Sequence, residues 1–293
     1  MLNTYLGSKG KETRSEAVLL EAASTDGHLA FTLRLCRYPE LGISWLWGHV
    51  FAGGKVYVFA DHAQPCDSSV TNLDTDSVVY THGAGAPPAF RFERVGPLLG
   101  PSSCSAHATF LAAEGARAVL GEGGIPVEVT AQLRPLARSV NNVEGRTEVL
   151  GMVDATIVLG GRELRLTAPG HFHEQEQRNP RFMTGFTYCT LRREDGGILF
   201  IRGPKRGGGT LLHNDEATRI ERVELGPPGP ERALALHLSG GQILEGTAAA
   251  TYRHVIPIYS DDWFGSVVRV DLDGLRYTGR MNDYLPEMNG YDR

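Results

Sequence analysis

A glycine pair or an Asp-Gly recurs along this chain between runs rich in Val, Ile, Leu, Thr and aromatic residues. "ISWLWGHVF" meets "KVYVFADH" across Gly53-Gly54, and "TEVLGMVDATIVL" meets "RELRLTAP" across Gly160-Gly161. "GFTYCTLRRE" meets "GILFIRG" across Asp195-Gly196-Gly197, and "RALALHLS" meets "QILEGTAAATYR" across Gly240-Gly241. "SVVRVDLD" meets "GLRYTGRM" at Asp273-Gly274. The tight turns that join antiparallel strands need positive φ, which glycine supplies without steric cost. Repeated from end to end, the pattern predicts an all-β chain of antiparallel hairpins built into barrels or sandwiches.

The helix signal is thin. One short helix near "HATFLAAEGA" competes with a strand reading of the same residues. There is no βαβ rhythm, phosphate-binding loop or dinucleotide fingerprint, and "KRGGGTLL" lacks the Lys-Ser/Thr ending of a phosphate loop. A length of 293 residues suits two domains. The two halves repeat the hairpin pattern loosely, so we place a boundary in Gly160–Pro169, with domains at 1–165 and 166–293.

Hydrophobic residues make up 41% and charged residues 22%, enough for a real core. The net charge of −5 argues against nucleic acid as a partner. No apolar run reaches the roughly 18 residues that span a bilayer, so no membrane partner is expected. The polar start "MLNTYLGSKGKETRSE" has no signal-peptide core, which points to the cytoplasm. Cys36, Cys66, Cys104 and Cys189 form no C-x-x-C pair and read as free thiols there. A homodimer is among the assemblies the sequence allows.

Titratable chemistry concentrates in "APGHFHEQEQRNPRF", residues 168–182. On a strand, His171, His173, Gln175 and Gln177 share one face and Phe172, Glu174 and Glu176 the other. Three readings follow. His171 and His173 can hold a transition metal, as in the cupins. The cupin pattern, however, wants an acid four or five positions beyond the second His, where this chain has Gln177 and Arg178. The second reading is an acid–base pair of His173 and Glu174 on the wall of an apolar cavity. The third is a solvated loop. No G-x-S-x-G is present, and Cys104 and His107 are near in sequence without marking a dyad.

Aromatic residues gather elsewhere. Trp45, Trp47 and His49 follow one strand face, and "YRHVIPIYSDDWFG" brings Tyr252, His254, Tyr259 and Trp263 together. Core packing is the ordinary explanation for each Trp, and structural hydrogen bonding for His49 and His62. Asp261-Asp262 reads as a turn. A small barrel carrying Trp, Tyr and a few polar groups on its inner face would also suit an apolar ligand.

The segment "GHFHEQEQRNPRFMTGFTYCTLRREDGGILFIRG" resembles the centre of the tandem lipocalin-like proteins. That group holds the carotenoid 1,2-hydratases, the AttH-type proteins and the lipocalin-like Diels–Alderases. Their second domain opens with Gly and then Tyr-His-Asp-His-Asn-Trp-Gly. Here Phe172, His173 and Glu174 match Tyr-His-Asp in kind, while Gln175, Glu176 and Gln177 depart from His-Asn-Trp. "ISWLWGHVFAGGKVYVF" is similar to the family's first-domain hairpin. The resemblance implies two calycin-like barrels packed side by side, holding a hydrophobic ligand and acting without metal or organic cofactor. It implies an enzyme that cyclises, isomerises or hydrates an apolar polyketide or terpenoid. A non-catalytic carrier of such a molecule and a cupin-type metal enzyme are the alternatives. We expect His173 and Glu174 to carry the chemistry. Trp45, Trp47, His49, His171, Tyr188, Tyr252 and Trp263 are expected to line the substrate site.

Overall fold

A computed structural model describes residues 13–66, 69–72, 77–83, 86–96, 103–135, 140–143, 146–177, 185–193, 198–203, 208–213, 216–258 and 261–284. Among these the one helical element is a single 3-10 turn, Pro39–Leu41, and no helix is long and apolar enough to cross a membrane. Everything else of regular structure is antiparallel strand, as the glycine turns predict.

The chain divides into two compact units. One comprises Lys11–Ala22 with Leu29–Pro180, the other Arg181–Arg293 with Ala23–His28 and Met1–Gly10. The expected boundary at 165/166 is corrected by a single strand, Arg162–Gln177, that runs through it. Gly160-Gly161 is a hairpin turn inside the first unit. Both glycines have positive φ, 57° and 84°, and Leu159 pairs with Arg162 across them.

The first unit holds twelve strands among the described residues: β1 (Ser15–Ala23), β2 (Leu29–Tyr38), β3 (Ile43–Ala52), β4 (Lys55–Pro65), β5 (Ser69–Asn72), β6 (Ser77–His82), β7 (Ala89–Val95), β8 (Ser103–Glu114), β9 (Ile125–Pro135), β10 (Val140–Val143), β11 (Arg146–Leu159) and β12 (Arg162–Gln177). Pairing runs β11-β12-β1-β2-β3-β4-β8 and returns to β11 through β9, which pairs with both β8 and β11. The β4–β8 link is short, Tyr57 with Glu114 and Val58 with Ala113. Beyond it β8 turns to β7, which carries β6 and β5. The segment read as helix or strand is β8, whose burial alternates residue by residue from Ser103 to Ala113.

The inner face is a packed core. Val18, Leu20, Phe31, Leu33, Leu46, Val50, Phe59, Phe90, Phe92, Phe110 and Phe172 belong to it. Phe59, Phe90 and Phe110 stack with centroids 5.6–6.4 Å apart. Gly48 completes it, because a Cβ there would come within 2.5 Å of the Phe110 ring. On β1, β2 and β3 the opposite face is buried as well. Strands buried on both sides read as near-continuous apolar runs, which is what "AVLLEAA" and "LAFTLRLC" are.

The second unit is a closed antiparallel barrel of β13 (Phe186–Arg192), β14 (Ile198–Gly203), β15 (Gly208–His213), β16 (Glu216–Leu225), β17 (Glu231–Leu238), β18 (Ile243–Ile258), β19 (Asp261–Leu272) and β20 (Leu275–Tyr284). Its core holds Cys189, Leu191, Leu236, Val268, Val270, Tyr277 and Met281. Arg232 donates to both Asp283 oxygens, at 2.9 and 3.0 Å, and Thr187 donates to the same carboxylate.

Candidate functional site

Alternation along a strand sends neighbours to opposite faces. In the first unit it builds a second buried surface, on the side of β11, β12, β1, β2, β3 and β4 away from the aromatic core. Glu148, His171, His173, Glu21, Thr32, Arg34, His49, Trp47, Trp45 and His62 all belong to it, and each is buried. The surface has an acid–histidine end and an aromatic end.

At the first end the strand register does the assembly. Glu148 on β11 lies opposite His173 on β12, and Glu21 on β1 lies opposite His171. His171 Nε2 is hydrogen-bonded to Glu148, and its Nδ1 lies 3.8 Å from Glu21 Oε1. Thr32 donates to the other oxygen of Glu21 at 3.4 Å. Burial works against charge on His171, but Glu148 and Glu21 outweigh it and hold its pKa above the ordinary imidazole value. The ring of His173 lies 5.6 Å from that of His171. Ligand atoms of Glu148, His171 and His173 all fall within 4.8 Å of one another.

At the aromatic end Trp47 donates its indole N–H to His62 Nε2 at 2.7 Å. His62 therefore carries its proton on Nδ1. Burial, with a smaller contribution from Arg34, pushes its pKa down to about 3, so the ring is neutral. Trp45 stacks on His62, with centroids 4.1 Å apart, and Tyr38 packs against Trp45 at 5.2 Å. Arg34 lies 4.3 Å above the Trp47 ring. A desolvated cation over indole is held by about 2 kcal/mol, so the guanidinium is a fixed positive charge. His49 lies 6.5 Å from Trp47 along the same strand.

The sequence expectations divide along this geometry. Trp45, Trp47, His49, His171 and His173 share the surface. They face away from the core, as Leu46 and Val50 occupy the inward positions of β3 and Phe172 that of β12. Glu174 is not beside His173 in space. Its side chain points to the inner face, where Arg94 on β7 donates to it at 2.5 Å. Tyr80 on β6 also hydrogen-bonds Glu174, and burial followed by that carboxylate raises the Tyr80 pKa, keeping it a donor. The expected His173–Glu174 pair is thus separated by the strand that carries both.

Tyr188, Tyr252 and Trp263 belong to the second unit and lie outside its core. The Tyr252 hydroxyl is committed to the His28 carbonyl at 3.0 Å. Trp263 meets Phe186 edge-on at 5.4 Å. Tyr259, Arg178 and the 195–197 turn lie outside the described residues. Cys36, Cys104 and Cys189 are buried and Cys66 is half-buried.

Sequence reading missed Glu148, Glu21, Arg34 and Thr32. Two of them left a signal: Glu21 is the lone charge inside "AVLLEAA", and Arg34 the lone charge inside "LAFTLRLC". A charge in a strand buried on both sides needs a partner, and its partners here come from neighbouring strands.

No family model matches the chain, and no curated protein matches its sequence. Solved structures do match its shape. CghA in complex with Sch210972 superposes with a TM-score of 0.60 at 14% identity, covering 95% of this chain and 90% of that one. A protein assigned as AttH (NE1406) from Nitrosomonas europaea gives 0.57 at 12% identity, covering 94% and 93%. The fold is the tandem lipocalin-like fold. A second crystal structure of CghA also shares it, with a TM-score of 0.56 at 12% identity over 96% of this chain and 90% of that one. The fold implied by "GHFHEQEQ" and "ISWLWGHVF" is therefore present over 95% of the chain.

Proposed function

We propose that this protein binds an apolar small molecule, a polyketide or terpenoid, against Trp45 and Trp47 and cyclises, isomerises or hydrates it. The observation that carries the reading is a fixed cation, Arg34, stacked on Trp47 beside neutral His62, at the aromatic end of the buried surface. The tandem lipocalin-like fold supports it, since CghA, which shares that fold, has been crystallised with the small molecule Sch210972. Two indoles and an imidazole, packed against one another, make an aromatic wall for a conjugated chain. Holding such a chain folded removes conformational entropy before reaction. Arg34 then stabilises negative charge developing on a carbonyl or enolate oxygen, an effect that grows where water is excluded. His62, donating through Nδ1, is placed to orient the same oxygen. His173 remains on the chemical surface. Glu174, tied to Arg94 and Tyr80, serves the inner packing of β6 and β7.

The purified protein, incubated with candidate polyenes and followed by mass spectrometry, should convert one of them. A carrier would return its ligand unchanged. Arg34→Gln should lower turnover by about 100-fold while ligand binding persists, and Trp47→Phe should weaken binding. Full turnover by both variants would remove the proposal.

A further inference from the structure

We propose that Glu148, His171 and His173 form a binding site for a divalent transition-metal ion, with Glu21 at its edge. This inference stands on the ligand geometry alone and does not depend on the substrate proposed above. His171 and His173 sit two residues apart on β12 and project to the same face, so two imidazoles converge without any loop to order. The carboxylate that the cupin pattern seeks downstream comes from the neighbouring strand instead. Glu148 is register partner to His173 and hydrogen-bonded to His171.

Bonds of about 2.1 Å to one ion place its ligand atoms roughly 3–4 Å apart. The three ligand atoms already lie within 4.8 Å of one another, so small side-chain rotations close the site. Glu21 approaches from the other neighbouring strand, its Oε1 3.8 Å from His171 Nδ1, and Thr32 orients its second oxygen. A hydrogen-bonded carboxylate beside a ligating imidazole is the usual outer support of such a site.

The donor set selects the ion. Two imidazoles and one carboxylate suit Zn²⁺, Fe²⁺, Co²⁺ or Ni²⁺, whereas Mg²⁺ and Ca²⁺ prefer oxygen cages. Three protein ligands leave coordination positions open, which is the arrangement of catalytic rather than structural sites. Charge points the same way. Glu148 and Glu21 are carboxylates of 0% and 2% exposure, and a buried charge must be paired or bind metal. A divalent ion, taking the place of the proton between His171 and Glu148, compensates both.

The test uses the full chain without a histidine tag, stripped by chelator and titrated with Zn²⁺ and then Co²⁺ in a calorimeter. We expect one equivalent to bind, a rise in Tm with added ion, and visible Co²⁺ bands of a site with nitrogen ligands. Glu148→Gln, His171→Asn and His173→Asn should each weaken binding at least about 10-fold. Glu21→Gln should weaken it less, and His107→Ala, at an exposed position on β8, should leave it unchanged. Should a ligand variant fail to fold, paramagnetically shifted imidazole protons from two histidines in the Co²⁺ wild type carry the same information. Absence of stoichiometric uptake by the folded wild type overturns the proposal. So does uptake that survives Glu148→Gln and His171→Asn together, or a Co²⁺ spectrum without imidazole ligation.

Discussion

At the scale of single residues, the buried surface holds a histidine whose protonation is set by its surroundings, and that makes it measurable. His62 is neutral in the fold, with its pKa lowered from 6.5 to about 3. The unfolded chain takes up a proton as pH falls through 6.5, and the folded chain does not until near 3. The unfolded state therefore binds more protons in this window, and stability falls with falling pH by up to about 1.4 kcal/mol per unit. Urea unfolding at pH 7, 6 and 5 should show this slope, and His62→Gln should reduce it; an unchanged slope in that variant would refute the assignment. Glu174→Gln should destabilise the fold by about 3 kcal/mol by leaving Arg94 buried without its counter-charge. The replacement of both by apolar residues should recover most of the loss, read by the same denaturation. Residue spacing in the sequence was enough to put His171 and His173 on one face. It also separates His173 from Glu174, which alternation sends to opposite sides, and the catalytic pairing expected from their adjacency overlooked that. Glu148 and Glu21 had no local signature as partners, since they reach His171 only through the pairing of β11, β12 and β1.

The strands themselves were legible because their turns are. Gly53-Gly54, with φ of 59° and 77°, joins β3 to β4, and Asp273-Gly274, with φ of 47° and 74°, joins β19 to β20. β8 was ambiguous because "HATFLAAEGA" is rich in small residues that suit either state; its partners β7 and β9 decide it. Which face of a strand turns inward could not be read where both faces are apolar, as on β3. Gly48 now marks the inward side. Gly48→Ala forces a methyl group against Phe110 and should cost about 1–3 kcal/mol. Combining it with Phe110→Leu should return part of that. A fully additive loss in this double-mutant cycle would mean the two positions do not meet.

For the whole molecule, each unit has its own hydrophobic core, and the chemistry-bearing groups of the first unit lie off its core rather than inside it. The count of two domains followed from chain length and the repeating hairpins. Their division did not, because Gly160-Gly161 looks the same in sequence whether it turns a hairpin or parts two domains. The central claim is that an apolar ligand is held against the outward aromatic face of β3. The chain has three tryptophans, Trp45, Trp47 and Trp263. In a Trp263→Phe variant all indole emission comes from that face. Titrating this variant with the ligand that the wild type binds or converts should quench or shift its fluorescence saturably, with the midpoint equal to the calorimetric Kd. Binding of the same ligand with the emission of Trp45 and Trp47 unchanged would contradict the account.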